Sequence, residues 1–230
     1  MPSICAAPQA TQPTTAASAD SQLMGQLTEI NARAAAITSL SADFEQRKFT
    51  ALLRKPLVSS GRVRVKSSTM RWDTERPEKS VLLITENQVR IYYPAQAVVE
   101  IYNLDQRLAE LASSPLPRLA ALKNQFAFAR VAPAELDPSA DPAKFLAIRL
   151  TPITDELRQH LQQVRVLLDT SGGYIVYAEL TDADGDKTII HFRNVRVNVG
   201  VGDLELKVRP GTKFTHPLEG LASPPGGKSK

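Results

Sequence analysis

The chain has a single cysteine, Cys5, so no internal disulfide can form and the redox compartment stays open. Aromatic residues are scarce, at 6 %. No apolar run approaches the roughly 18 residues that a membrane-spanning helix needs. The three histidines, His160, His191 and His216, stand at no metal-ligand spacing from one another or from Cys5. There is no glycine-rich phosphate cradle and no nucleophile-elbow pattern. The run Asp182-Ala183-Asp184-Gly185-Asp186 has the acids of a calcium loop but lacks its closing bidentate Glu and its flanking helices. It reads as a hairpin turn. Glu45, Asp73, Glu75 and Glu78 fall where charges decorate strand ends, and are read as surface groups. These absences leave nothing that points to an enzyme, a metal or a cofactor.

What is present is an ordinary soluble composition, 43 % hydrophobic, on a chain of 230 residues. That length suits one domain with a sizeable core. The net charge of +4 is uneven: Phe44 to Lys79 holds ten Lys/Arg against four acids. The positives never run beyond adjacent pairs and no nucleic-acid motif accompanies them, so they are read as a solvated strand face. Residues 1–19, rich in Ala, Pro, Thr and Gln, read as a disordered leader or the remnant of a secretory signal. Cys5 follows Pro2-Ser3-Ile4, which lacks the pattern of a lipid-attachment site, so it is taken as incidental.

Behind the possible caps Asp20 and Ser21, Leu23, Leu27, Ile30, Ala34 and Ile37 recur at helical spacing and predict an amphipathic helix. From Ser41 the period becomes two. Arg62-Val63-Arg64-Val65-Lys66 alternates cationic and apolar residues, the mark of a strand with one buried and one hydrated face. Val81–Ile84 and Val89–Tyr93 flank a turn at Glu86-Asn87-Gln88, and Val98–Tyr102 follows. Leu104, Leu108 and Leu111, then Leu116 and Leu119 beyond Pro115, predict two short helices at an angle. Further strands bring the total to about eleven, consecutive and therefore antiparallel. In the last long strand the apolar parity shifts at Arg193-Asn194, which implies a bulge that lets the sheet curl. Residues 219–230 read as a disordered tail. Periodicity alone leaves open whether the helices fill the sheet as an ordinary core or cover a cavity for hydrocarbon.

Several pieces occur in a telling order: Ser41-Ala42-Asp43-Phe44-Glu45-Gln46 after the helix, Ser60-Gly61 leading to Met70-Arg71-Trp72, then Pro77. Ile91-Tyr92-Tyr93-Pro94, Leu150-Thr151-Pro152, Thr188 to Val195 and Val208-Arg209-Pro210-Gly211 follow. Over residues 20–218 this set resembles the lipoprotein-carrier family usually called LolA. The resemblance implies a mainly β fold with helices, an incomplete, half-open antiparallel β-barrel with an N-terminal helix and a short helical lid. It implies a monomeric periplasmic carrier, not an enzyme. Such a carrier takes lipoprotein acyl chains from an inner-membrane ABC lipoprotein-release transporter to an outer-membrane lipoprotein acceptor. The alternative use of the same barrel is a regulatory domain that senses lipid or lipopeptide and binds a protein partner. The implied acyl-chain cavity is assigned to Phe44, Val63, Val65, Met70, Trp72, Leu83, Ile91, Tyr93, Phe126, Phe128, Ile190 and Phe192. The lid is assigned to Leu104, Leu108, Leu111, Leu116 and Leu119. The family's strand before the Trp typically ends in Arg-Pro or Lys-Pro, whose basic residue latches the lid. Here Lys66-Ser67-Ser68 stands in its place, so Lys66 is the candidate latch, with one ammonium where Arg has a planar fork.

Overall fold

The computed structural model describes residues 15–85, 88–102, 115 and 122–217. Helix α1 (Thr15–Ala35) starts earlier than the expected caps Asp20 and Ser21, and its stripe of Leu23, Leu27, Ile30 and Ala34 is buried. The strands are β1 (Ser39–Phe49), β2 (Leu57–Lys66), β3 (Thr69–Arg76), β4 (Ser80–Ile84), β5 (Val89–Tyr93) and β6 (Val98–Tyr102). There follow β7 (Phe126–Val131), β8 (Phe145–Pro152), β9 (Leu161–Asp169), β10 (Tyr174–Asp182), β11 (Lys187–Val197) and β12 (Lys213–Thr215). A short helix, α2 (Asp155–Arg158), capped by Thr154, lies between β8 and β9.

All twelve strands form one sheet in the order β12-β6-β5-β4-β3-β2-β1-β11-β10-β9-β8-β7. The first and last long strands meet in its middle, where β1 pairs with β11. Pairing is antiparallel except at one edge: β12, which the alternation did not reveal, runs parallel to β6 with Lys213 opposite Val98. The register follows the apolar pattern. Leu40, Val65, Met70, Ile84 and Val89 form one cross-strand row, and Ala42, Val63, Trp72, Leu82 and Ile91 the next.

Phe44 on β1, Trp72 on β3 and Phe192 on β11 meet, with ring centroids 4.6 Å apart for Phe44 and Trp72 and 5.7 Å for Trp72 and Phe192. In a flat sheet the backbones of β3 and β11 would lie roughly 14 Å apart at about 4.8 Å per strand. Curling explains the approach, and the expected bulge is present: Ser41 opposes Arg196 while Asp43 opposes Arg193, with Asn194 at φ 52°. A second shift, between Ile175 and Tyr177 on β10, turns Tyr177 and Glu179 to the outer face.

The outer, convex face is where the structure departs from the expected solvated surface. Residues 198–212 run across it as an extended strap. Ser39 Oγ donates to the Val199 carbonyl at 2.6 Å, Arg64 to the Val201 and Asp203 carbonyls, and Arg71 to that of Glu205. The Arg209 amide then donates to the Tyr92 hydroxyl and the Lys213 amide to the Ala97 carbonyl, which delivers the chain to β12. Arg64 and Arg71 share Asp73, at 2.7 and 2.9 Å. Burial pushes the Asp73 carboxyl up, but the hydrogen bonds and charges of Arg71 and Arg64 outweigh it and hold the group below its usual value. Of the expected basic exterior, Arg62 and Lys66 are exposed and Arg64 is not.

Gly61 marks the tightest backbone approach: a Cβ there would lie 1.9 Å from the Asp73 carbonyl oxygen. Gly61→Ala is therefore expected to cost about 1–3 kcal/mol in urea unfolding, because backbone rather than a flexible side chain must move. A variant as stable as wild type removes that contact from the account. Asp73→Asn is expected to cost about 1–3 kcal/mol at pH 7. Because the folded-state value of Asp73 is depressed, its contribution is present above the unfolded carboxylate range and is lost as pH falls through the folded value. The wild type should lose stability more steeply than the variant below about pH 4. Parallel pH profiles would sink this reading.

Candidate functional site

The concave face is the candidate site, and its walls come from both halves of the sheet. Phe44, Val63, Val65, Met70, Trp72, Phe126, Ile190 and Phe192 are all buried in one apolar cluster. Leu23, Leu27 and Ile30 of α1 belong to the same cluster, so the helix lies on this face. Ile91 and Phe128 pack against the cluster while remaining half-buried, as do Leu82, Tyr102 and Val164. The wall is aliphatic and aromatic nearly throughout. Trp72 Nε1 donates to Met70 Sδ at 3.0 Å, so even the indole's polar atom is turned to a soft neighbour.

Leu83 does not belong here. It is buried, but it pairs with Arg71 and Arg90 in a convex-face row while Leu82 and Ile84 point inward. Tyr93 shares the parity of Ile91 and stands at the rim. Burial, then the charge and hydrogen bond of Glu100, raise its hydroxyl above the ordinary tyrosine value. Tyr102 donates to Glu100 Oε2 at 2.9 Å, and that bond raises it in turn. Glu100 lies opposite Ile91, so a carboxylate held by two tyrosines sits at the concave edge on β6. Val98, Glu100 and Tyr102 share one parity on β6, which places the carboxylate on the inner row.

The expected lid residues Leu104, Leu108, Leu111, Leu116 and Leu119 lie outside the described residues. So do residues 1–14 of the expected leader and 218–230 of the expected tail. Two described residues of the connection between β6 and β7 are turned inward. Pro115 is fully buried, its carbonyl accepting from the Ile175 amide at 2.7 Å, and Leu122 packs against the apolar cluster. Lys66 is exposed at the β2–β3 turn, on the parity opposite the buried Val65. A cleft of about 370 Å³ opens beside α1, with Gln26, Glu29, Arg33, Arg130, Thr170 and Ser171 among its polar lining and the core residues Ile30 and Leu146 also exposed to it.

On the convex face Glu179 is 3 % exposed and holds Tyr177, Arg165 and Lys187. Burial pushes its carboxyl up, but the bonds from Arg165 and Tyr177 outweigh this and keep it ionised below its usual range. Burial raises the Tyr177 hydroxyl strongly and lowers His191, whose ring meets Tyr177 edge-on at 4.8 Å. This is a structural ion cluster beneath Leu136, which belongs with Ala147, Leu167 and Tyr177 to a second small core. Among the described residues no group of three His, Cys, Asp or Glu could hold a metal ion, and no helix is long and apolar enough to cross a membrane.

The chain is similar to several known proteins. An uncharacterized conserved protein from Thermus thermophilus superposes with a TM-score of 0.52 at 11 % identity, over 85 % of this chain and 99 % of its own. The Mycobacterium tuberculosis lipoprotein LppX matches with a TM-score of 0.47 at 11 % identity, over 81 % of this chain and 100 % of its own. MucB in the Pseudomonas aeruginosa MucA/MucB complex matches with a TM-score of 0.47 at 13 % identity, over 81 % of this chain and 61 % of its own. No curated protein matches the chain by sequence. The family model described as outer membrane lipoprotein carrier protein LolA matches residues 35–205, from the end of α1 into the strap. The curled, unclosed sheet and this match over most of the chain agree: the protein belongs to the LolA family.

Proposed function

We propose that the chain is a periplasmic carrier that shields the acyl chains of lipoproteins, or of related lipids, against its concave face. It catalyses no reaction. The observation that supports this best is the apolar wall running from Ile91 on β5 through Trp72 and Phe192 to Phe128 on β7, on a sheet whose edges do not join among the described residues. Each methylene removed from water is worth about 0.8 kcal/mol, so long acyl chains need such a surface to cross an aqueous space. The half-buried side chains Leu82, Ile91, Tyr102 and Phe128 are the places an incoming chain reaches first. Leu122 and the α1 stripe of Leu23, Leu27 and Ile30 are contacts that must give way as chains enter. An inner-membrane ABC lipoprotein-release transporter supplies the cargo and an outer-membrane lipoprotein acceptor receives it.

Trp72 is the sole tryptophan and lies in the wall, so it reports on occupancy. Titration with a triacylated lipopeptide should change its emission in a saturable way, while the unacylated peptide leaves it unchanged. Equal responses to both peptides, or none, would falsify acyl-chain binding at this face. Phe128 lies on the edge strand β7 and is only half-buried, so Phe128→Glu should fold. That variant should bind the lipopeptide about ten-fold or more weakly, since burial of a phenyl ring is worth roughly 1.5–3 kcal/mol. Unchanged affinity takes Phe128 out of the site. Release of lipoprotein from inner-membrane vesicles tests the transfer step separately: binding without release is the result that favours the regulatory, partner-binding reading over a carrier.

A further inference from the structure

The arm formed by the end of β1 and the start of β2 is flanked by β11 on one side, where Phe49 lies opposite Lys187, and, among the described residues, by no strand on the other. Its apolar residues are turned to solvent, with Leu52 93 % exposed and Phe49, Leu53, Leu57 and Val58 also exposed. Leu57, Val58 and Ser59 pair with β1 alone, because the pairing of β2 with β3 begins only at Ser60 opposite Arg76. The arm therefore projects beyond β3. Water-facing apolar side chains gathered at a projecting tip are costly to keep and mark a contact surface.

The charges around the tip select the partner. Arg47, Lys48, Arg54 and Lys55 flank the leucines and all four are exposed, while Glu45, ion-paired with Arg47 at 2.7 Å, is the one acid in residues 45–58. The neighbouring β10–β11 turn brings Asp182, Asp184 and Asp186 beside the arm, where Asp186 accepts from the Ala51 amide next to Leu52 and Asp182 accepts from the amides of Asp184 and Asp186. Residues 52–58 themselves carry Arg54 and Lys55 and no acid. Aliphatic side chains that can enter the acyl boundary, ringed by long basic side chains that can stay at headgroup level, fit an anionic bilayer better than a neutral one.

We propose that the β1–β2 arm docks the protein on an anionic membrane surface, Leu52 and Leu53 entering the interface and Lys48, Arg54 and Lys55 contacting lipid phosphates. The docking is separate from cargo binding on the concave face and does not depend on it. Its test is flotation of the full chain with cargo-free vesicles of phosphatidylethanolamine and phosphatidylglycerol, against vesicles of phosphatidylcholine. The wild type should float with the anionic vesicles and fall away from them at high salt. Leu52→Ser with Leu53→Ser should weaken partition about ten-fold or more. Lys48→Gln with Arg54→Gln and Lys55→Gln should weaken it by a similar factor and abolish the preference for anionic lipid. Because every altered side chain is exposed, both variants should keep the wild-type melting temperature and the Trp72 response to lipopeptide. A wild type that stays at the bottom of the gradient, alone or as a dimer through the arm, overturns the proposal, as do variants that float like wild type.

Discussion

The meeting of Phe44, Trp72 and Phe192 sets the shape from which the rest follows. These rings belong to β1, β3 and β11, and they touch because the sheet bends at the bulge beside Asn194. A bent sheet that does not close has two faces with opposite needs. The inner face is too apolar to be left wet, and α1 lies on it through Leu23, Leu27, Ile30 and Ala34. The outer face carries Arg64, Arg71, Tyr92 and Val99, and needs polar as well as apolar cover.

The two covers are held by different physics. Along the strap, guanidinium groups donate to carbonyls of residues 201–205 while sharing the Asp73 carboxylate, so its polar groups are paired and directional. Displacing the strap would break the directional bonds that Arg64 and Arg71 make to its carbonyls, which a generic apolar surface does not remake. On the inner face the contacts are dispersion and apolar burial, without fixed geometry, and one hydrocarbon surface can replace another at little net cost. The outer cover is thus held by directional bonds and the inner one by apolar contact.

Much of the sheet was legible because one-sided strands announce their period. Arg62 to Lys66 alternates cleanly, and the parity change at Arg193-Asn194 located the bulge from the residues alone. Where both faces are covered the signal fails. Val81-Leu82-Leu83-Ile84 is apolar throughout because Leu82 and Ile84 face inward and Leu83 lies among the outer arginine rows, and no alternation remains to assign it. Residues 198–212 are extended and meet side chains of β1, β2, β3 and β5, so they have no period at all. The basic residues looked solvated for the same reason: a cation that pairs with main-chain carbonyls distant in sequence leaves no local pattern. Of the candidate site, the wall was readable and the carboxylate of Glu100 was not, since a polar residue in an apolar strand is ordinarily assigned to water.

For the carrier function proposed above, exchange of one apolar cover for another would set the affinity. An acyl chain that enters the inner face gains about 0.8 kcal/mol per methylene buried, but it must first expose the apolar surface of whatever covered that face. The net affinity is the difference between two similar quantities, so it stays modest even when the contact area is large. A rigid, empty chamber of the same lining would bind more tightly and release more slowly. In the proposed carrier, the aliphatic stripe of α1 and the inward-packed Leu122 would be internal competitors for the cargo. Release in such a carrier would be eased because the cover re-forms the contacts that the departing chain gives up.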